Sequence, residues 1–200
     1  MTVITAPTSS QGAVAPERVT PEQMLSLPDD GRLYELVDGC LVEKPMSDLA
    51  QFVANRLKTL LDVWCAKSGS GTALVEASYQ CFSDAPDKVR RPDVSYIAAA
   101  RLAGYSWGRG HFTIAPDLAV EVVSPHDEVY ELDRKLQDYF RAGVRRVWVV
   151  NPEMQIVRIH RAPGDVSELI GAAELVDEAL LPGFRCPLPS LFVTSQNAPT

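Results

Sequence analysis

A single acid interrupts the most apolar segment of this chain. Residues 118–123 read LAVEVV, so alternation places apolar side chains on both faces of the predicted strand. A strand that is apolar on both faces is buried in the centre of a sheet. Because a buried carboxylate without a partner costs several kcal/mol, Glu121 needs a cation, a metal ion or a bound proton. A structural ion pair with a nearby arginine is the alternative.

The segments around this strand predict an α/β fold with a mixed central β-sheet flanked by helices. Strand 118–124, helix 125–142 and strand 147–150 form a βαβ unit, with Gly143 ending the helix. The buried stripe of this helix is predicted to be Val129, Leu132, Leu136, Tyr139 and Phe140. The other predicted elements are helices at 21–27 and 47–67, a hairpin of 33–37 and 40–43, and strands at 72–82, 94–98 and 156–160, the last at an antiparallel edge.

Chain length and composition predict one folded domain at 18–194. Residues 1–17 are rich in Thr, Ser, Ala and Pro and are expected to form a disordered N-terminal tail. Residues 195–200 are expected to form a flexible C-terminus. The final segment, which contains Pro182, Pro187 and Pro189, is expected to wrap irregularly around the sheet.

The net charge of −7 argues against a protein that coats nucleic acid or an anionic membrane. The acidic residues are concentrated toward the two ends, however, and residues 88–161 hold 12 basic and 9 acidic residues. Arginines in this middle segment could contact phosphates, or could simply be paired or solvated. They are Arg90, Arg91, Arg101, Arg109, Arg134, Arg141, Arg145 and Arg146.

Cysteine spacing and hydropathy predict a cytoplasmic protein. The cysteines are Cys40, Cys65, Cys81 and Cys186, which lack the close pairing of a zinc site or a disulfide scaffold. No segment has the apolar length of a membrane span, and the N-terminus lacks a secretory pattern.

Two further residues join Glu121 as candidates for chemistry. Asp93 follows Pro92 at the start of a predicted strand, although a turn is the simpler interpretation of Pro-Asp alone. Lys135 lies on the flank of the apolar stripe of the helix, where its stem could reach the sheet. An ordinary surface lysine paired with Glu131 is the alternative. Two carboxylates and a lysine suit metal-assisted phosphodiester hydrolysis, with the acids holding a hard cation such as Mg²⁺.

The chain resembles a bacterial family of restriction-endonuclease-like proteins with a PD-(D/E)xK nuclease-like fold. The resemblance covers about residues 20–191. It is carried by the segments YELVDG at 34–39, RPDV at 91–94, PDLAVEVVSP at 116–125, DRK at 133–135, Tyr139, AGV at 142–144 and VWVVNP at 147–152.

The resemblance implies roles for specific residues. Asp93 and Glu121 become the two metal-binding acids, with the main-chain carbonyl of Val122 as a further ligand. Val123 stands where the plain motif has a lysine, and Lys135 is the candidate to replace it from the following helix. Glu35 becomes an additional catalytic acid near the metal, although strand alternation predicts that its side chain is exposed.

These features together predict a Mg²⁺- or Mn²⁺-dependent endonuclease that acts on DNA, with a homodimer as a further expectation. A catalytically inactive nucleic-acid-binding or regulatory module on the same fold is the main alternative, and Val123 favours it. A glycosidase that uses the two carboxylates is a third interpretation. The aromatic content of 8% disfavours it, because sugar clefts usually need aromatic platforms.

Overall fold

The computed structural model describes residues 18–125 and 127–192, so the predictions for the two tails lie outside the described residues. The helices are α1 (Pro21–Leu25), α2 (Asp48–Ser68), α3 (Ala99–Leu102), α4 (Val129–Arg141) and α5 (Leu188–Leu191). The strands are β1 (Tyr34–Val37), β2 (Cys40–Glu43), β3 (Gly71–Val75), β4 (Val94–Ala98), β5 (Leu118–Val122), β6 (Arg146–Asn151), β7 (Ile156–Ala162), β8 (Asp165–Leu169), β9 (Glu174–Leu175) and β10 (Cys186–Pro187).

The central sheet has the order β3-β4-β5-β6-β7-β8, which confirms the predicted α/β architecture. Strands β5 and β6 are parallel and are connected by α4, whereas the other neighbouring strands are antiparallel. The prediction that residues 156–160 form an edge was wrong, because β8 pairs with β7 and lies beyond it. The sequence of β8 did not reveal a strand because the segment is short and mostly exposed.

Helix α2 covers one face of this sheet. Ser47 caps its first turn, and Gly69 ends it in a left-handed conformation with a φ of 64°. Leu57 and Leu61 are fully buried in a core that also contains Val120 of β5. Part of the segment predicted to be irregular closes this core, since Leu181, Phe184, Leu188, Leu191 and Phe192 are buried in it.

Helix α4 covers the opposite face, and the later part of its predicted stripe packs there as expected. Tyr139 and Asp138 are buried, but Val129 is 71% exposed, so the predicted stripe was wrong at its first residue. Glu128 and Glu131, at the start of α4, line an open cleft.

The hairpin of β1 and β2 forms as its Asp38-Gly39 turn predicts. Both turn residues have positive φ, 51° for Asp38 and 76° for Gly39, as a two-residue hairpin turn requires. Leu36 exchanges two main-chain hydrogen bonds of 2.9 Å with Val89, which ties the hairpin to the segment that leads into β4.

Two other sequence expectations concern the fold as a whole. The four cysteines are all free thiols. Within residues 18–125 and 127–192, no helix has the length and apolar character needed to cross a bilayer.

Candidate functional site

Three acids occupy neighbouring register positions at one end of strands β3, β4 and β5. The strand register pairs the last residue of β3 with the first of β4, and that first residue with Val120 of β5. One step beyond these pairs are Glu76, Asp93 and Glu121. The main-chain N–H of Glu76 donates to the carbonyl of Asp93 at 3.1 Å, which extends the ladder by one bond.

Glu121 is buried and receives two hydrogen bonds from helix α4. The hydroxyl of Tyr139 donates to its Oε1, and Lys135 Nζ donates to its Oε2 at 2.9 Å. Burial raises the pKa of Glu121 in spite of the nearby lysines, because the charged carboxylate has lost its hydration. Lys135 thus reaches the strand acid rather than Glu131, which pairs with Arg134 instead.

Asp93 is 2% exposed, and each of its carboxylate oxygens has a donor. The main-chain N–H of Val122 donates to Oδ2 at 2.6 Å, which fastens Asp93 to the strand of Glu121. The other oxygen, Oδ1, is in contact with the ammonium of Lys44.

Lys44 is a mostly buried member of the site that the sequence did not reveal. Its Nζ donates to the carbonyl of Arg91 at 2.7 Å and lies 3.6 Å from Glu76 Oε2, besides its contact with Asp93. Burial opposes the charge of this amine, but the carboxylates of Asp93, Glu121 and Glu76 together outweigh it, so the pKa of Lys44 is raised. Lys44 directly follows a hairpin and precedes Pro45, which is the sequence context of an ordinary loop lysine.

Glu76 was also missed, because residues 72–82 were predicted to form one uninterrupted strand. Strand β3 ends at Val75, and Glu76 adopts a left-handed φ of 52°. Burial raises the pKa of Glu76 to about 7. Within the described part of the chain, neither carboxylate oxygen of Glu76 accepts a hydrogen bond.

The prediction that Glu35 is exposed was wrong, since the side chain is 3% exposed. Its Oε1 accepts the main-chain N–H of Arg91 at 2.8 Å, and its Oε2 accepts a hydrogen bond from Arg90 at 2.9 Å. Lys135 Nζ lies 3.5 Å from Oε1. Burial alone would raise the pKa of Glu35, but the charges of Lys135 and Arg90 outweigh it and lower that pKa. Alternation failed here because a hairpin can be covered on both faces by neighbouring segments.

The three residues that the sequence singled out line one open cleft. Asp93 and Glu121 contribute from the strands, and Lys135 contributes from α4. Val123, which stands at the motif position of a lysine, lines the same cleft. The remaining lining residues are Val122, Asp127, Glu128, Glu131 and Leu132, so the described wall has an acidic rim and no aromatic side chain.

The sequence matches the model of the Uma2 family, described as "Putative restriction endonuclease", over residues 21–189. The chain belongs to this family. A solved structure with the same fold is described as "a putative nuclease belonging to DUF820 from Anabaena variabilis ATCC 29413"; the two chains share 19% sequence identity and a TM-score of 0.73. The alignment covers 86% of this chain and 97% of the other. No curated protein matches the chain.

The donor set of this Uma2-family chain suits a hard divalent cation. Asp93 and Glu121 offer carboxylate oxygens, each with a lone pair left beyond its present hydrogen bond, beside a cleft with room for water ligands. Within the described residues, no three His, Cys, Asp or Glu side chains are grouped closely enough to hold a metal unaided. A cation here would therefore need main-chain or water oxygens as well.

Proposed function

We propose that this chain is a metal-dependent endonuclease that hydrolyses phosphodiester bonds in DNA. The observation that carries the proposal is that Asp93, Glu121 and Lys135 line one cleft at the ends of the central strands. The family description and the fold shared with a protein described as "a putative nuclease" support the same reaction class.

Each residue of the site has a role in this proposal. Asp93, Glu121 and the carbonyl of Val122 would hold Mg²⁺ or Mn²⁺, and this ion would supply Lewis-acid chemistry and make nearby water more acidic. Lys135 keeps its proton, because the carboxylates of Glu121 and Glu35 outweigh its burial and raise the pKa of its ammonium. The ammonium can therefore stabilise negative charge on the phosphoryl oxygens. Glu35 helps to hold that ammonium in place from 3.5 Å.

The acidic rim of the cleft is a further argument for a metal ion. Asp127, Glu128 and Glu131 would repel a phosphate backbone unless a cation offsets their charge. A phosphodiester substrate and an acidic cleft are therefore compatible when a divalent ion lies between them.

The arginines of the middle segment support substrate binding only in part. Arg90, Arg101, Arg134, Arg141, Arg145 and Arg146 form ion pairs, and Arg91 donates to two main-chain carbonyls. Arg109 is exposed and has no hydrogen bond or ion pair within the described residues. It lies two positions from Trp107, which is 60% exposed, so this loop is the best candidate for direct contact with DNA.

The test is cleavage of supercoiled plasmid by the purified chain with Mg²⁺, with Mn²⁺ and with a chelator. We expect nicking that needs the divalent ion and is lost in Asp93→Asn. A labelled RNA of matched length run in parallel distinguishes a ribonuclease from a deoxyribonuclease. Absence of cleavage, together with absence of calorimetric Mg²⁺ or Mn²⁺ binding, would overturn the proposal.

One observation favours a non-catalytic nucleic-acid-binding module as the second candidate. Both proposed metal-binding acids already have an internal ammonium partner, Lys44 at Asp93 and Lys135 at Glu121. A site neutralised in this way can be stable without a metal. DNA binding in a mobility-shift assay without cleavage under any divalent ion would select this candidate.

We further propose a homodimer, because two such clefts would allow both strands of a duplex to be cut in one encounter. Light scattering coupled to gel filtration measures the mass directly. A 21.9 kDa species at micromolar concentration, with nicking but no double-strand cuts, would indicate that the chain acts as a monomer.

A further inference from the structure

Lys44 lies between Asp93 and Glu76 and contacts the two acids unequally. Its ammonium donates to Asp93 and to the carbonyl of Arg91, and it remains 3.6 Å from Glu76 Oε2, outside hydrogen-bonding distance. The Lys44 side chain is 10% exposed, so bulk water screens these charges poorly. The ammonium is thus an internal cation in direct contact with one carboxylate oxygen of Asp93.

Glu76 is held beside this pair as an acceptor with no donor. Both of its carboxylate oxygens are buried and accept no hydrogen bond within the described residues. Its left-handed φ of 52° is a conformation that costs a non-glycine residue free energy and that persists where the surroundings impose it. The main-chain bond from Glu76 to Asp93 fixes the position of the acid next to Lys44.

A divalent cation at Asp93 and an ammonium in contact with the same carboxylate repel each other strongly in a buried site. Glu76 offers the ammonium another carboxylate within a short side-chain movement. We propose that Lys44 is the resident counter-ion of Asp93 and transfers to Glu76 when a divalent cation binds, so that the Lys44–Glu76 pair sets the cation affinity. This inference rests on the proposed metal dependence and assigns two residues to it that the family motif does not include.

The experiment is calorimetric titration of the metal-free chain with Mn²⁺ alone. Lys44→Met removes the competing ammonium and is expected to tighten Mn²⁺ binding about tenfold or more. Glu76→Gln removes the carboxyl group that receives the ammonium and is expected to weaken binding by about the same factor. In the double variant, Glu76→Gln is expected to change the affinity less than about threefold relative to Lys44→Met, since no ammonium is left to move.

Lys88→Met is the matched control. Lys88 is also mostly buried, with 14% of its side chain exposed, but it pairs with Asp138 rather than with a proposed metal ligand. The Mn²⁺ affinity of the Lys88→Met variant is expected to stay close to that of the parent chain. Circular dichroism melts establish that each variant is folded. Lys44→Gln, which keeps a donor for Asp93, is measured beside Lys44→Met and takes its place if the Met variant unfolds.

Two results would overturn the inference while leaving the proposed metal dependence intact. Unchanged Mn²⁺ affinity in Lys44→Met and Lys44→Gln would show that Lys44 does not compete with the cation. Equal weakening by Glu76→Gln with and without Lys44 would make Glu76 a direct ligand. Absence of Mn²⁺ binding in the parent chain and in every variant would overturn the inference and the metal dependence together. Binding that appears only once Lys44 is replaced would support both.

Discussion

Lys135 Nζ lies 2.9 Å from Glu121 Oε2, although the two residues are 14 positions apart and belong to a helix and a strand. The contact joins α4 to the strand ends where Asp93 also lies. It gives Glu121 the cation that its buried position requires and delivers an ammonium to a place where the local strand sequence offers only Val123. Replacing this ammonium tests its contribution most directly.

We expect Lys135→Met to lower metal-dependent cleavage by about 10²- to 10³-fold, the range found when one charge-stabilising donor is removed from an active site. Mn²⁺ binding should persist, because the proposed ligands are retained. Plasmid nicking and calorimetry on the same preparation measure the two properties. Wild-type cleavage in this variant would reduce Lys135 to a structural ion-pair partner.

Replacing the two strand acids addresses the proposed metal ligands. Asp93→Asn and Glu121→Gln should each abolish detectable nicking and weaken Mn²⁺ binding, because each substitution removes a negatively charged oxygen donor. Glu153→Gln, at an exposed turn position, is the matched control and should cleave normally. If both acid variants retain activity, the catalytic centre lies elsewhere in the chain.

Arg90 should prove structural rather than a phosphate contact. It is 1% exposed and lies between Glu35 and Asp138, at 2.9 Å and 2.7 Å respectively. Removing one partner of a buried ion pair leaves the other charges buried without compensation. Arg90→Met should therefore lower the free energy of unfolding by about 3–5 kcal/mol. Urea denaturation measures this, with Arg109→Met as the exposed comparison. A loss below about 1 kcal/mol, the usual value for exposed pairs, would contradict the expectation.

The stability of the metal-free chain should fall as the pH rises from about 5 to about 7. The pKa of Glu76 is raised from 4.5 to about 7, so in this range the folded chain holds a proton at Glu76 that the unfolded chain has lost. Stability then decreases with pH, by about 1–3 kcal/mol over the window. Burial is the main cause; Asp93 and Glu121 add to it, and Lys44 and Arg91 oppose it.

The measurement is urea unfolding in a chelating buffer at pH 5 and pH 7.5. Glu76→Gln should flatten the slope between these two values, whereas Glu153→Gln should keep it. A slope that is identical in the parent chain and in Glu76→Gln would assign the pH dependence to other groups.

Trp107 and Arg109 should contribute to DNA binding. Tyr105 and Phe112 support the Trp107 ring edge to face, with ring centroids 5.8 and 5.7 Å away. The loop joins the segment that follows Glu76, since Phe112 N–H donates to the carbonyl of Ser78 at 2.8 Å. The loop is therefore hydrogen-bonded to a segment only two residues beyond Glu76 of the site.

Trp107→Ala should weaken binding of single-stranded DNA by about 1–3 kcal/mol, the worth of one stacked base. Arg109→Gln should lower the slope of log affinity against log salt by about 0.7 for single strands and 0.9 for duplex. Fluorescence anisotropy at several salt concentrations measures both effects. Unchanged affinity and slope in both variants would place the DNA contact on another surface.

The sequence was sufficient for most of the sheet and for three members of the cleft. A strand with apolar side chains on both faces predicted that Glu121 is buried, and the same strand organised the βαβ unit around it. Lys135 was placed on the correct flank of α4, although the predicted stripe began at the exposed Val129. Local periodicity reported these features because each depends on one element packing against the sheet.

Lys44, Glu76 and the burial of Glu35 depend instead on contacts between segments far apart in the chain. Lys44 meets Asp93 across 49 positions, and Glu35 meets Arg90 across 55. The residues next to Lys44 and Glu35 in the sequence do not indicate such a distant partner. Glu76 was hidden for a related reason, because the end of β3 is set by the left-handed turn at Glu76 itself rather than by a proline or glycine.

The hairpin of β1 and β2 carries one charge of each sign into the site, Glu35 on its first strand and Lys44 directly after its second. Its main-chain link to the segment before β4 consists of the two hydrogen bonds between Leu36 and Val89. A displacement of the hairpin as one body would therefore withdraw an anion and a cation together. Such a movement is electroneutral: it would uncover Asp93 and separate Glu35 from Lys135 without changing the net charge of the cluster left behind.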